Sequence, residues 1–152
     1  MSTNTSALAG IGRSLDGLAP LAWPIVRITT GLLLMPHGAQ KLFGWFGGHG
    51  LEATGQFFAG SMGMEPGIVF AFLAGFVEFF GGLALVLGLL TRPAALGVAV
   101  LLGVAMTVHI PNGFFWSAGG YEYPLMWALL AVAIFLRGGG EASLDRKLGL
   151  LL

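Results

Sequence analysis

Long apolar stretches with almost no charge constrain this chain more than any other feature of its sequence. Of its 152 residues, 56% are hydrophobic and 9% are charged, whereas about a quarter of the residues of a soluble domain are charged. The stretches approach the length that crosses a bilayer, and they are continuously apolar, which disfavours barrel strands. We therefore predict an all-α polytopic membrane protein, a single domain over residues 1–152, whose bundle of four transmembrane helices spans about residues 20–46, 68–90, 93–110 and 121–136.

Lys and Arg are concentrated on one side of the predicted spans. They precede span one, lie between spans two and three, and follow span four, at Arg13, Arg92, Arg137, Arg146 and Lys147. The loops 47–67 and 111–120 on the other side contain neither residue, and Lys41 is the exception to the bias. The positive-inside rule therefore predicts that both termini are cytoplasmic.

Both ends of the chain are amphipathic. Apolar residues recur at helical spacing in two sets, Leu8, Ile11, Leu15 and Leu18 near the start and Leu144, Leu148 and Leu151 near the end. Charged residues occupy other faces of the second set, at Asp145, Arg146 and Lys147. We predict that both segments lie on the membrane surface and that a short helix near residues 51–59 covers the outer mouth of the bundle.

The composition excludes several classes of function. Formal net charge is zero and no basic run occurs, so a nucleic-acid partner is not expected. The chain has no Cys, which excludes disulfides, thiol catalysis, iron–sulfur ligation and any zinc site built from Cys. Redox chemistry would therefore need a borrowed cofactor, and none is expected to be covalently bound.

Two charges, Arg27 and Glu78, lie well inside apolar stretches. A charge at the bilayer centre costs at least about 2.5 kcal/mol on insertion scales and normally faces a partner or a cavity. Glu78 shares one face of span two with small residues that favour close packing, so it is predicted to face protein; these are Ala71, Gly75 and Gly82. Its depth is about 15 Å below the outer end of the span, near the midplane.

The other spans place ionisable groups in the same outer half of the bundle. We predict an outward-opening polar pocket lined by His37, Lys41, Glu78, His109 and Glu122. Arg27 lies deeper, toward the cytoplasmic side, but shares a stripe of span one with Lys41, so that Glu78 is the natural counter-ion to either cation.

Each of these residues also has a purely structural interpretation. Lys41 would reach the outer headgroups, His109 would close a helix end, and Glu122 would be favoured by a helix dipole. An ion pair of Arg27 with Glu78 would only hold the bundle together.

Several motifs, in their order and spacing, resemble the DoxX family of small bacterial four-helix membrane proteins. The motifs are His37-Gly38 with Lys41-Leu42, Glu78 with Gly81-Gly82, the run from Leu87 to Arg92, His109 with Gly113-Phe114, the run from Gly120 to Pro124, and Gly138, Gly140, Ser143, Leu144 and Asp145. The resemblance covers about residues 20–147. One departure is Gly139, where many members have Pro.

The resemblance implies a multi-pass protein of the bacterial inner membrane, and it supports the fold far more than any reaction. Members include a membrane subunit of a thiosulfate:quinone oxidoreductase and proteins associated with oxidative-stress defence. The family motifs include the five residues of the predicted pocket. The depth of the ionisable residues in the bundle selects the same five.

The leading hypothesis is a quinone- or quinol-interacting oxidoreductase subunit. His and carboxylate groups of the pocket would hydrogen-bond the quinone oxygens and exchange protons. Because the chain offers no evident redox cofactor, electrons would come from a soluble redox partner protein or a diffusible reductant.

Two other functions remain open, as does assembly into a homo-oligomer. The same pocket would serve a proton-coupled transporter or permeation subunit that binds a small polar ligand, and the bundle would alternatively be a structural anchor for a soluble redox enzyme. Haem ligated by His37 and His109 is disfavoured, because Lys41 and Glu78 beside them suit a polar ligand better. No metal site is expected.

Overall fold

The computed structural model describes the backbone of residues 2–150 and the side chains from Leu15 to Leu150. The described chain forms six helices: α1 (Ser2–Phe43), α2 (Gly50–Met62), α3 (Gly67–Leu87), α4 (Thr91–His109), α5 (Glu122–Arg137) and α6 (Leu144–Leu148). Two short 3-10 turns, Ile110–Asn112 and Trp116–Ala118, lie between α4 and α5. Residues 2–150 contain no strand, so the all-α prediction is confirmed.

Three helices are long and apolar enough to cross a membrane. They are Leu15–Phe43 within α1, Gly67–Leu87, and Thr91–Asn112, which extends α4 by its 3-10 turn. The chain is therefore a multi-pass membrane protein. Helix α5 has 16 residues, a rise of about 24 Å against a hydrocarbon core of about 30 Å. The fourth span stays a prediction.

Glycines end two of the predicted spans earlier than expected. Span one was predicted to reach residue 46 and span two residue 90, but α1 ends at Phe43 and α3 at Leu87. Gly44 and Gly88 follow these helices with φ of +70° and +67°. Glycine adopts this left-handed conformation without steric cost, so it terminates a helix even inside an apolar run.

The N-terminal segment does not form a separate surface helix. Helix α1 continues from Ser2 through Pro20 and Pro24 to Phe43, so the predicted surface segment and the first span are one element. Leu15 and Leu18 are exposed on it, while the side chains of Leu8 and Ile11, like Leu151, lie outside the described residues.

The four long helices share one core. Its buried members come from all four, namely Leu34, Leu85, Ala95, Val98, Leu102, Ala131 and Ile134. Helix α1 lies so close to α3 that a Cβ at Gly31 would overlap the carbonyl oxygen of Gly82. The predicted small face of α3 is buried here, and it brings α1 side chains within reach of Glu78.

The predicted short helix in the first outer loop is present as α2 and is slightly longer than expected. It packs on the start of α3, where Gly55 contacts the backbone of Ile68. Together with residues 44–49, it covers the Lys41 end of α1.

Candidate functional site

Lys41 and Glu78 form an ion pair between α1 and α3. The Lys41 ammonium donates to both carboxylate oxygens of Glu78, with Nζ 2.6 Å from Oε2 and 2.9 Å from Oε1. Glu78 is 8% exposed, whereas a quarter of the Lys41 side chain, 24%, is exposed. The absence of a side chain at Gly75 permits this approach, because a Cβ there would press on Leu42 and Lys41. Glu78 thus faces protein, as predicted.

Glu78 lies in a π-helical turn, Val77–Gly81, inside α3. A π turn interrupts the regular helical hydrogen-bond ladder and re-aims the side chains within it, and such turns are frequent at functional sites. This turn was not predicted, since the local sequence signals it only through two adjacent weak helix formers, Gly81 and Gly82.

A cavity of about 240 Å³ opens beside Lys41. It lies between the end of α1 and the start of α2 and is lined by Gln40, Lys41, Gly47, Gly48, His49 and Thr54. Gln40 Nε2 donates to the Phe46 carbonyl at 3.2 Å and so holds the intervening loop. His49 is exposed and is a potential ligand-binding group that the depth argument missed, because it lies in a loop.

The residues next to the ion pair in sequence carry an aromatic cluster. Phe43 stands edge-on to Phe79 with ring centroids 5.3 Å apart, and Trp45 lies 4.9 Å from Phe43. Phe43 and Trp45 are about half exposed, at 45% and 55%. Half-exposed rings of this kind offer flat apolar contact to a neighbouring molecule.

His37 belongs to the same locality. Its carbonyl oxygen lies 3.5 Å from Lys41 Nζ, one helical turn along α1, and its side chain is exposed but within electrostatic range of Glu78. The structure therefore brings together His37, Lys41 and Glu78 from the predicted pocket.

His109 and Glu122 form a separate polar group in the loop between α4 and α5. His109 Nδ1 lies 2.7 Å from the Gly119 carbonyl, and Glu122 Oε1 accepts a hydrogen bond from the Trp116 backbone at 2.9 Å. Within residues 15–150, none of their hydrogen bonds reaches Lys41 or Glu78. These contacts match the structural interpretation, in which both residues secure helix ends.

Arg27 lies at the opposite end of the bundle, about 21 Å along α1 from Lys41. It is 1% exposed and donates to three main-chain carbonyls: Nη1 to Leu85 and Val86 at 2.5 and 3.2 Å, and Nη2 to Ala142 at 2.7 Å. Glu78 is thus the partner of Lys41 and not of Arg27. Arg27 instead joins α1 and α3 to residues 138–145, which we call the C-terminal clasp.

Asp145 completes the clasp. It was predicted to lie on a solvent-facing side of a surface helix, but it is 7% exposed. Its carboxylate accepts from the backbone N–H groups of Leu90 and Thr91 at 2.7 and 2.9 Å, and so caps the N-terminus of α4, where the helix dipole favours a negative charge. Its own N–H donates to the Gly88 carbonyl at 2.8 Å. The prediction was wrong because this cap comes from a segment distant in sequence.

The protonation of Asp145 makes the clasp sensitive to acid. Burial raises the pKa of Asp145, but Thr91, the two backbone N–H groups and the charge of Arg27 lower it by more, so the net pKa shift is downward. A lowered folded-state pKa stabilises the fold above the unfolded value of about 3.9, and that contribution disappears as pH falls through the folded value.

We expect Asp145→Asn to lower the melting temperature at pH 7 and to flatten its decline below about pH 4. The measurement is thermal unfolding of the detergent-solubilised protein between neutral and acidic pH. Glu141→Gln, which removes an exposed carboxylate nearby, is the matched control. If the melting temperature of Asp145→Asn declined at acidic pH as steeply as that of wild type, Asp145 would not be the group that makes the clasp sensitive to acid.

No cluster of three or more His, Asp or Glu within the described residues is arranged to hold a metal ion.

Comparison with known proteins gives one family and two relatives. The DoxX family model matches residues 22–110. An uncharacterized protein of Haemophilus influenzae is 30% identical over 138 residues, which cover 88% of this chain and 96% of that protein. A second uncharacterized protein of the same organism is 34% identical over 62 residues, 40% of this chain and 41% of that protein. No solved structure matches.

Proposed function

The chain belongs to the DoxX family, and from that membership we propose that it is a quinone- or quinol-interacting subunit of a membrane oxidoreductase. The head group binds beside the ion pair of Lys41 and Glu78. One observation carries the proposal: a nearly buried carboxylate, paired with a lysine, lies next to both a polar cavity and a half-exposed aromatic cluster.

The polar groups suit the chemistry of a quinone ring. Its two carbonyl oxygens accept hydrogen bonds, and Lys41 and His49 supply donors at the cavity wall. Reduction of a quinone to a quinol takes up two electrons and two protons. Glu78 and the two nearby imidazoles are groups through which protons can pass, while the electrons come from a soluble partner protein, because the chain has no Cys and no cofactor motif.

The aromatic cluster provides the route from the membrane. Phe43 and Trp45 are about half exposed beside the ion pair, and an isoprenoid tail would pass over them into the bilayer while the ring reaches Lys41. Ligand sites commonly combine such apolar walls with a few convergent polar groups.

We expect Glu78→Gln to weaken the binding of a short-chain ubiquinone or menaquinone analogue by about tenfold or more, since it removes the charge that positions Lys41. The measurement is fluorescence or calorimetric titration of the purified protein in neutral detergent. Glu65→Gln removes an exposed carboxylate from the same outer side and should leave the affinity unchanged.

Equal affinity of wild type and Glu78→Gln would defeat the proposal, provided that both melt cooperatively. An assay in proteoliposomes distinguishes quinone binding from transport. A pH-dependent flux of protons or solute without quinone, lost in Glu78→Gln, would favour a transporter instead.

A further inference from the structure

A second and larger cavity, of about 400 Å³, lies at the clasp end of the bundle. Three of its lining residues are arginines from three elements: Arg92 at the start of α4, Arg137 at the end of α5, and Arg146 in α6. We propose that this cavity binds a phosphate group, carried either by the headgroup of an anionic phospholipid or by a free phosphate compound. The site is independent of the proposed quinone chemistry at the other end.

The positive charges in this cavity are largely uncommitted. Of the two acidic residues in its wall, Asp145 caps α4 and Glu141 pairs with Arg146 at 3.2 Å. Within residues 15–150, neither Arg92 nor Arg137 forms an ion pair. Both are exposed, so most of their N–H donors remain free for a ligand.

Two weak contacts hold these arginines at the cavity mouth. Arg92 Nη2 lies 3.4 Å from the Leu136 carbonyl, and the Arg137 guanidinium lies 4.6 Å above the ring of Trp23. Trp23 is itself fixed, because its Nε1 donates to the Gly138 carbonyl at 2.9 Å. Both guanidinium groups therefore lie beside the cavity.

The wall between the arginines is made of glycine. Gly138, Gly139 and Gly140 line the cavity, and a Cβ at Gly138 would lie 3.2 Å from Arg92 Nε. On this part of the wall no side chain stands between a ligand and the guanidinium groups. Planar guanidinium groups recognise phosphate oxygens in a bidentate manner.

The position of the cavity favours a ligand at headgroup depth. It lies where α4 begins and α5 ends, with Trp23 beside it, and Trp is enriched at the membrane interface. This end carries the Arg residues that predict a cytoplasmic location, and basic pockets between helices on that side recognise anionic headgroups.

The test compares lipids on the purified full-length chain in neutral detergent. Retention of phosphatidylglycerol and of phosphatidylcholine is measured by native mass spectrometry for wild type, Arg92→Gln, Arg137→Gln and the control Lys147→Gln, which removes a neighbouring exposed charge outside the cavity. We expect wild type to prefer phosphatidylglycerol, and each Arg variant to bind it about fivefold more weakly. Lys147→Gln should bind as wild type does.

Inorganic phosphate, matched for ionic strength with chloride, identifies the source of the ligand. Displacement of phosphatidylglycerol by millimolar phosphate, together with phosphate-dependent thermal stabilisation, would indicate a free phosphate compound, whereas phosphate without effect would indicate a lipid headgroup.

Equal losses of phosphatidylglycerol binding in Lys147→Gln and the Arg variants, or no preference for the anionic lipid, would overturn the proposal. Arg92→Gln keeps the test decisive if Arg137→Gln unfolds through loss of its contact with Trp23. Quinone-analogue binding should not change in any of these variants.

Discussion

Replacing Arg27 with methionine is expected to lower the free energy of unfolding by about 3–5 kcal/mol. The substitution leaves the carbonyls of Leu85, Val86 and Ala142 without the donor that they share. It also removes the positive charge near buried Asp145. Because these groups are in contact with one another, their contributions are coupled, and the loss is that of the clasp as a unit.

Denaturant or thermal unfolding in detergent measures this loss. Arg27→Lys keeps the charge but supplies a single donor nitrogen. The free energy of unfolding of this variant should therefore lie between those of wild type and Arg27→Met. Arg146→Met, which removes an exposed arginine, should change stability by less than about 0.5 kcal/mol. Folded Arg27→Met should still bind the quinone analogue, since the ion pair is about 21 Å away along α1. A loss of stability no larger than that of Arg146→Met would mean that the clasp contributes nothing.

The helices, and the burial of Glu78 against protein, could be predicted from the sequence because they depend on local periodicity. Apolar runs of bilayer length predict spans, and the spacing of Gly75, Glu78 and Gly82 predicts which face of α3 packs against protein. Once the helices alternate in direction, the rise per residue gives the depth of each residue, and depth placed Lys41 in the same outer half of the bundle as Glu78. These patterns left both Arg27 and Lys41 open as the partner of Glu78, and the structure shows that Lys41 forms the ion pair, at 2.6 Å.

The depth of a residue in the bundle does not determine which side chains at that depth contact one another. His109 and Glu122 were predicted to lie in the same outer half of the bundle as Lys41, but they contact the loop between α4 and α5. A shared depth fixes the position along the bundle axis and leaves the direction of each side chain around that axis open. His49 was not predicted because it lies in a loop, and the rise per residue of a helix gives no depth for a loop residue.

The clasp could not be predicted because its contacts join distant parts of the chain. Arg27 and Ala142 are separated by 115 residues, and Asp145 and Leu90 by 55. Nothing in the local sequence around Leu90 shows that a carboxylate will cap α4, because a cap is usually supplied by the preceding residue. The motifs that resemble the family at residues 87–92 and 138–145 meet here, which gives both of them a structural role.

Gly38→Ala is expected to destabilise the protein by about 3 kcal/mol and to weaken quinone-analogue binding at the same time. A Cβ at Gly38 would overlap the backbone nitrogen of Phe79 and lie 2.7 Å from the Gly75 carbonyl oxygen. These are backbone atoms, which cannot rotate away, so α1 must separate from α3. The separation falls beside the π turn that carries Glu78, and it lengthens the contact with Lys41.

Gly103→Ala is the matched control for this substitution. It makes the same chemical change inside α4, where a Cβ meets nothing within 4 Å. Alanine has the better helix propensity, by up to about 1 kcal/mol, so this variant should be neutral or slightly more stable. Parallel unfolding curves and ligand titrations of the two variants therefore separate close helix packing from a general effect of losing glycine. If Gly38→Ala were as stable as Gly103→Ala and bound the analogue normally, close contact between α1 and α3 would not position the ion pair.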